Sequence, residues 1–211
     1  MNYRYIVVEG SIGSSKSEVS RRLAAHFDAL YLSDSPEHNP FLSLFYDNVA
    51  RHGLACELSF LMRRAEAVET INAEEEKGTL IVADFLLEKD QIFVPVVLGA
   101  KEQALFWELK RKIMPQYPVP DLVVYLQTSA EANRKRLQKR GDGVVNLFPS
   151  GYLGQIHSEY SRFFHLYQDA PLLIVNADEL DFAGNDEHFH MLLAAMNDLQ
   201  GSRNYLNLRE K

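Results

Sequence analysis

The residues best placed to do chemistry are Gly10, Ser11, Ile12, Gly13, Ser14, Ser15, Lys16 and Ser17. All but Ile12 and Lys16 are glycine or serine, so backbone N–H groups can converge on an anion with no bulky side chain in the way. The apolar run Tyr5 to Val8 precedes them, and Val19, Leu23, Ala24 and Phe27 recur at helical spacing after them. Strand, small-residue turn, Lys-Ser and helix is the order of a phosphate-binding loop, G-x-x-x-x-G-K-[ST]. Gly10 matches the first glycine and Lys16-Ser17 the end, while Ser15 stands where the second glycine belongs. A helix opening at Lys16 points its positive end at the anion. Lys16 then reaches the β- and γ-phosphates, and the Ser17 hydroxyl suits Mg²⁺. If position 15 needs a positive φ, a serine there is strained. The plainer reading is a ligand-free serine turn, and the strand and helix on either side weigh against it.

Two carboxylates come at the ends of later strands. Asp34 follows the short apolar stretch Ala29 to Ser33, and Asp84 follows Thr79 to Ala83. In parallel sheets ligands bind at the C-terminal ends of strands. A phosphate loop and two carboxylates on one rim suit phosphoryl transfer: one carboxylate organises Mg²⁺, the other accepts a hydroxyl proton. A helix cap or solvated loop is the plain alternative for either alone. The basic run Arg134 to Arg140, followed by Gly141, suits a lid over about 140–150, with Arg140 meeting phosphate; a solvated helix face is the plain alternative. Glu57, Arg63 and Arg64 interrupt an apolar helix, and Glu57 and Arg64 share a face with Leu61. His188 and His190 have nothing nearby to complete a metal site, and Cys56 reads as core.

These residues need elements to hold them. The pattern predicts strands at Tyr3–Val8, Ala29–Ser33, Thr79–Ala83, Asp121–Leu126 and Pro171–Val175. It predicts helices at Lys16–Phe27, Pro40–Val49, about Leu54–Glu76, from Phe85 to Tyr117 with a break near Gly99, after Ser129, over Gly151–Gln168 and over Asn185–Leu199. Strands alternating with helices give an α/β sandwich around a parallel sheet of about five strands. Residues 1–200 form one domain, and 201–211 a polar tail.

Composition excludes some classes. The 211 residues carry a net charge of −7, which argues against a nucleic-acid-binding surface. Hydrophobic residues at 46% and charged residues at 24% suit a globular protein. Cys56 is the single cysteine, which fits a reducing compartment. No leader and no apolar run of membrane-spanning length stands out, so a cytoplasmic protein without a membrane partner is expected.

Several stretches in order resemble the deoxynucleoside kinase family. They are the first-strand loop, Asn39-Pro40-Phe41-Leu42 with Phe45-Tyr46, Glu57 to Leu61, Val82 to Lys89 with Ile92-Phe93, Pro120 to Leu126, Lys139-Arg140-Gly141, and Tyr152-Leu153. The resemblance covers nearly the whole chain. It implies a three-layer P-loop kinase fold and ATP- and Mg²⁺-dependent transfer of the γ-phosphoryl group to the 5′-hydroxyl of a deoxynucleoside, in nucleotide salvage. It implies Asp34 as general base, Asp84 as the acidic residue of the strand-end motif, Tyr46 on the sugar 3′-hydroxyl, Glu57 reading the base and Phe93 stacking on it. Arg140 begins the lid. It also implies a homodimer.

The chain departs from that pattern. Asp34 is one methylene shorter than the family's glutamate, and Phe85 stands where many members carry arginine. Asp142 and Val145 replace a lid arginine and a sugar-holding glutamate. Ionised, Glu57 accepts hydrogen bonds only, which favours bases presenting amino groups. Three readings stay open: an active deoxynucleoside kinase, a weak or inactive relative that binds nucleotide or a partner, and a nucleoside-monophosphate kinase.

Overall fold

The computed structural model describes residues 3–141 and 146–207, so Asp142 and Val145 lie outside the described residues. Six strands form one all-parallel sheet: β1 (Tyr5–Gly10), β2 (Leu30–Leu32), β3 (Ile81–Ala83), β4 (Leu122–Gln127), β5 (Leu172–Asn176) and β6 (Arg203–Leu206). Their order is β2-β3-β1-β4-β5-β6. Every residue of β1 is buried, as expected of a central parallel strand covered on both faces. From β1 the chain builds β2 and β3 on one side, then crosses to β4 on the other. The crevice this leaves lies at the C-terminal end of β1, where the phosphate loop begins.

Alternation along β1 assigns the two faces. Tyr5 and Val7 join a core with Leu61, Val68 and Ile71 of α3 (Val49–Lys77), Ile92 of α4 (Asp90–Val97), Phe106 of α5 (Ala100–Ile113) and Phe164 of α7 (Tyr152–Leu166). Ile6 and Val8 pack on the other face, against Val19 and Leu23 of α1 (Lys16–Phe27) and Leu192 and Met196 of α8 (Asp186–Asn197). The result is three layers, helices on both sides of the sheet. The remaining α-helices among the described residues are α2 (Leu42–Asp47) and α6 (Ala130–Arg140). Cys56 is buried, as its sequence context suggests.

Element ends shift by a few residues from the sequence reading, and two differences are larger. The long helix starts at Val49 rather than near Leu54, because the Asn48 side chain accepts from Arg51 N and caps it. The sheet has six strands rather than about five: Arg203–Leu206, inside the expected polar tail, pairs with β5. The Arg203 guanidinium anchors that edge strand on the carbonyls of Phe164, His165 and Tyr167.

Candidate active site

The phosphate loop joins β1 to α1. At Gly10 a Cβ would stand 2.5 Å from Ser14 Oγ and 3.0 Å from Leu126 O, so no larger residue fits. Gly13 has φ 89°, and its Cβ would meet Asn133 O at 2.9 Å. Ser15 is left-handed, φ 65° and ψ 24°. The backbone therefore demands the glycine-like conformation at 15, and serine adopts it at a cost of about 1 kcal/mol. In that conformation Ser15 makes no side-chain cap. The first N–H groups of α1 have no intrahelical acceptor, so the helix end is left open to an anion. Ser14 Oγ lies buried with no hydrogen-bond partner among the described residues. The donors, the small cradle and the open helix end fit a triphosphate.

Lys16 and Ser17 occupy the first turn of α1. Burial lowers the Lys16 pKa, and the nearby charge of Lys89 lowers it further against Glu9, Asp84 and Asp34. Asp34 and Asp84 meet because Leu32 and Ala83 are paired across β2 and β3. Asp84 Oδ1 accepts from Asp34 N at 2.9 Å, and its Oδ2 accepts from Tyr31 Oη at 2.6 Å and Ser33 Oγ at 3.2 Å. Among the described residues no three or more His, Cys, Asp or Glu side chains form a metal cage. Ser17 and Asp84 are the residues suited to share a magnesium ion with phosphates and water.

Asp34 is buried between two cations. Arg64 Nε reaches its Oδ1 at 3.2 Å, Arg64 Nη2 its Oδ2 at 3.1 Å, and Lys89 Nζ its Oδ2 at 3.2 Å. Burial opposes ionisation, but Arg64 and Lys89 outweigh it and hold the carboxyl well below the usual carboxylate range. Arg64 is fixed in turn by Asp90, and Asp90 pairs with Lys110 at 2.8 Å. Phe85 is buried in the core and offers no charge.

Glu57 lies two turns before Arg64 on α3 and is 3% exposed. Burial raises its pKa to about 8, with Asp90 and Asp34 raising it and Arg64 and Lys89 opposing. The carboxyl is thus mostly neutral near pH 7, which corrects the expectation of an acceptor-only group. Tyr46 on α2 stands edge-on to Phe148 at 5.0 Å, and Phe148 stacks on Tyr152 at 5.9 Å. Burial, with Glu57 and Tyr46 close by, raises the pKa of the Tyr152 hydroxyl, so these residues share one neighbourhood. Phe93 lies 5.5 Å from Lys89 Nζ and edge-on to Tyr160.

Lys16, Asp34 and Asp84 therefore converge on one rim, with Glu57, Tyr46 and Phe93 lining the side formed by α2, α3 and α4. Arg140 ends α6, exposed, next to Gly141 at φ 72°. Sequence reasoning passed over Glu9, Lys89 and Asp90. Glu9 is fully buried and accepts from Gly10 N, Tyr160 Oη and Leu86 N. A charged residue inside an apolar strand was the available signal for Glu9; Lys89 and Asp90 sit in the quoted strand-end stretch or next to it.

The deoxynucleoside kinase family model matches residues 6–200. The chain is 27% identical over 200 residues to the deoxyguanosine kinase of Bacillus subtilis (strain 168), covering 92% of this chain and 97% of that one. It is also 27% identical over 194 residues to the deoxyadenosine kinase of Lactobacillus acidophilus, covering 85% and 88%. The solved deoxyadenosine kinase from M. mycoides with bound dATP superposes with a TM-score of 0.79 at 20% identity, over 92% of this chain and 99% of that one.

Proposed function

This chain belongs to the deoxynucleoside kinase family, and from that premise we propose that it transfers the γ-phosphoryl group of ATP to the 5′-hydroxyl of a deoxynucleoside, in nucleotide salvage. The observation that carries this reading is the meeting of Asp34 with Lys16 and Asp84 at the mouth of the phosphate loop. The retained donor cradle and the buried, ionised Asp34 favour an active kinase over a weak or inactive relative.

In this reading Gly10 to Ser17 bind ATP, and Lys16 neutralises charge on the β- and γ-phosphates. Asp34 takes the proton of the acceptor hydroxyl. Mg²⁺, when bound at Ser17 and Asp84, supplies further charge neutralisation on the phosphates. Tyr46 and Phe93 hold sugar and base, and Arg140 approaches the phosphates from α6. Glu57 reads the base edge. As a neutral acid it offers one O–H donor and one acceptor, the same pair an amide offers. A homodimer in the cytoplasm completes the reading. Exposed Met62 on α3 and Leu105 on α5 are apolar side chains that a second copy would cover.

The test is Asp34→Asn. It keeps the size of the side chain and removes the proton acceptor. We expect kcat to fall by about a hundredfold or more with ATP affinity retained. An Asp34→Asn enzyme as fast as the unaltered protein would remove Asp34 from the chemistry.

A further inference from the structure

We propose that Lys89 is a positioning residue for this transfer: it fixes which oxygen of Asp34 meets the acceptor hydroxyl and ties that carboxylate, through Glu9, to the root of the phosphate loop. The proposal rests on the kinase reading of the site.

Lys89 ends the short 3₁₀ turn Leu87–Lys89 that leads into α4 and is only 6% exposed. Its Nζ lies 3.2 Å from Asp34 Oδ2 and 3.9 Å from Glu9 Oε1. Glu9 cannot move to meet it. Glu9 Oε1 accepts from Gly10 N and Tyr160 Oη, both at 3.0 Å, and Oε2 accepts from Leu86 N at 2.9 Å. One anchor is therefore the residue immediately before the loop, and the other is Asp34.

Counting lone pairs gives the consequence. A carboxylate offers about four acceptor positions. On Asp34, Arg64 Nη2 and Lys89 Nζ fill Oδ2, and Arg64 Nε takes one position on Oδ1. Among the described residues the open position is on Oδ1. An acceptor hydroxyl bonded there attacks the γ-phosphorus through its oxygen. Its proton passes to Oδ1, and the bond from the γ-phosphorus to the bridging oxygen breaks, so ADP leaves with the electron pair. Without Lys89, Oδ2 has a vacant position of its own. The carboxylate can then meet the hydroxyl through the wrong oxygen, and a small misplacement of a reacting group is costly. Arg64 alone does not prevent this, since its fork engages both oxygens equally.

A charge buried here is also not the easiest way to fill the space. Lys89 and Glu9 together lose solvation that an apolar pair of similar volume would not. The row Glu9, Lys89, Asp34, Arg64, Asp90, Lys110 alternates in sign and balances three carboxylates with three cations. Asp34 and Arg64 are its middle pair.

The experiment compares Lys89→Met, Lys89→Arg and both in an Asp34→Asn background, with the unaltered enzyme as the first arm of the same ATP and deoxynucleoside assay. Lys89→Met should lower kcat by about a hundredfold, change both KM values little, and recover part of the loss as Lys89→Arg. In the Asp34→Asn background Lys89→Met should cost almost nothing further, since the group it positions is already gone. The double variant Glu9→Gln/Lys89→Met removes one charge of each sign and carries the same expectation if Lys89→Met alone does not fold. The role is overturned by a Lys89→Met kcat equal to that of the unaltered enzyme, by a loss lying wholly in KM, or by losses that multiply in full with Asp34→Asn. Those results leave the kinase reading standing. An unaltered enzyme with no transfer to any deoxynucleoside overturns that reading and this role with it.

Discussion

Ser15 stores strain in its own backbone. Its φ of 65° is one that glycine adopts freely and serine does not. Ser15→Gly should therefore stabilise the fold, by about 1 kcal/mol less the extra freedom glycine gives the unfolded chain, without weakening ATP binding. Thermal unfolding and ATP titration of the two proteins check this. Glu57 gives a pH dependence with a definite sign. Its carboxyl is raised to about 8 in the fold, against about 4.3 in an unfolded chain. The folded state holds a proton the unfolded chain has lost, so its contribution is intact below the lower value and disappears as pH rises through about 8. Unaltered protein should lose stability between about pH 5 and pH 9 by a few kcal/mol more than Glu57→Gln does. Parallel slopes for the two proteins would mean Glu57 is not buried as a neutral acid. Sequence made Asp34 and Asp84 legible because each ends a strand. Lys89 and Arg64 were harder to assign, since their partners lie 55 and 30 residues away and no local pattern reports a contact of that kind.

At the scale of elements, α6 is tied to the phosphate loop through Asn133, with Leu137 packed beside Gly13. Asn133 Nδ2 donates to Ser11 Oγ at 2.6 Å, and the Asn133 backbone and Cβ lie where a Cβ on Gly13 would go. The loop and the helix that carries Arg140 are therefore joined by a direct hydrogen bond and close packing. Asn133→Ala should cost about 1 kcal/mol of stability, because Ser11 Oγ loses the shorter of its two hydrogen bonds and keeps only Thr128 Oγ1 at 3.4 Å. It should also raise KM for ATP while leaving KM for the nucleoside alone; steady-state kinetics with each substrate varied separately measures both. Most elements were visible from periodicity, because buried parallel strands read as apolar runs and helices repeat at 3.6 residues. β6 was not. Its four residues Arg203, Asn204, Tyr205 and Leu206 lack an apolar run, and an edge strand is held by backbone pairing and by the Arg203 anchor rather than by burial.

For the whole molecule, the order β2-β3-β1-β4-β5-β6 explains why distant residues meet. β1 is central, so its loop faces the ends of β2 and β3 on one side, and Arg64 of α3 and Lys89 of the turn before α4 close over Asp34. The alternating row from Glu9 to Lys110 crosses that junction, so the chemistry and the packing of three helices depend on the same ion pairs. The most direct measurement incubates the purified protein with Mg²⁺ and γ-labelled ATP and each of the four deoxynucleosides, and resolves the labelled products. The account predicts label in a deoxynucleoside 5′-monophosphate with at least one acceptor, abolished by Lys16→Ala. Folded protein that binds ATP yet labels none of the four would contradict it.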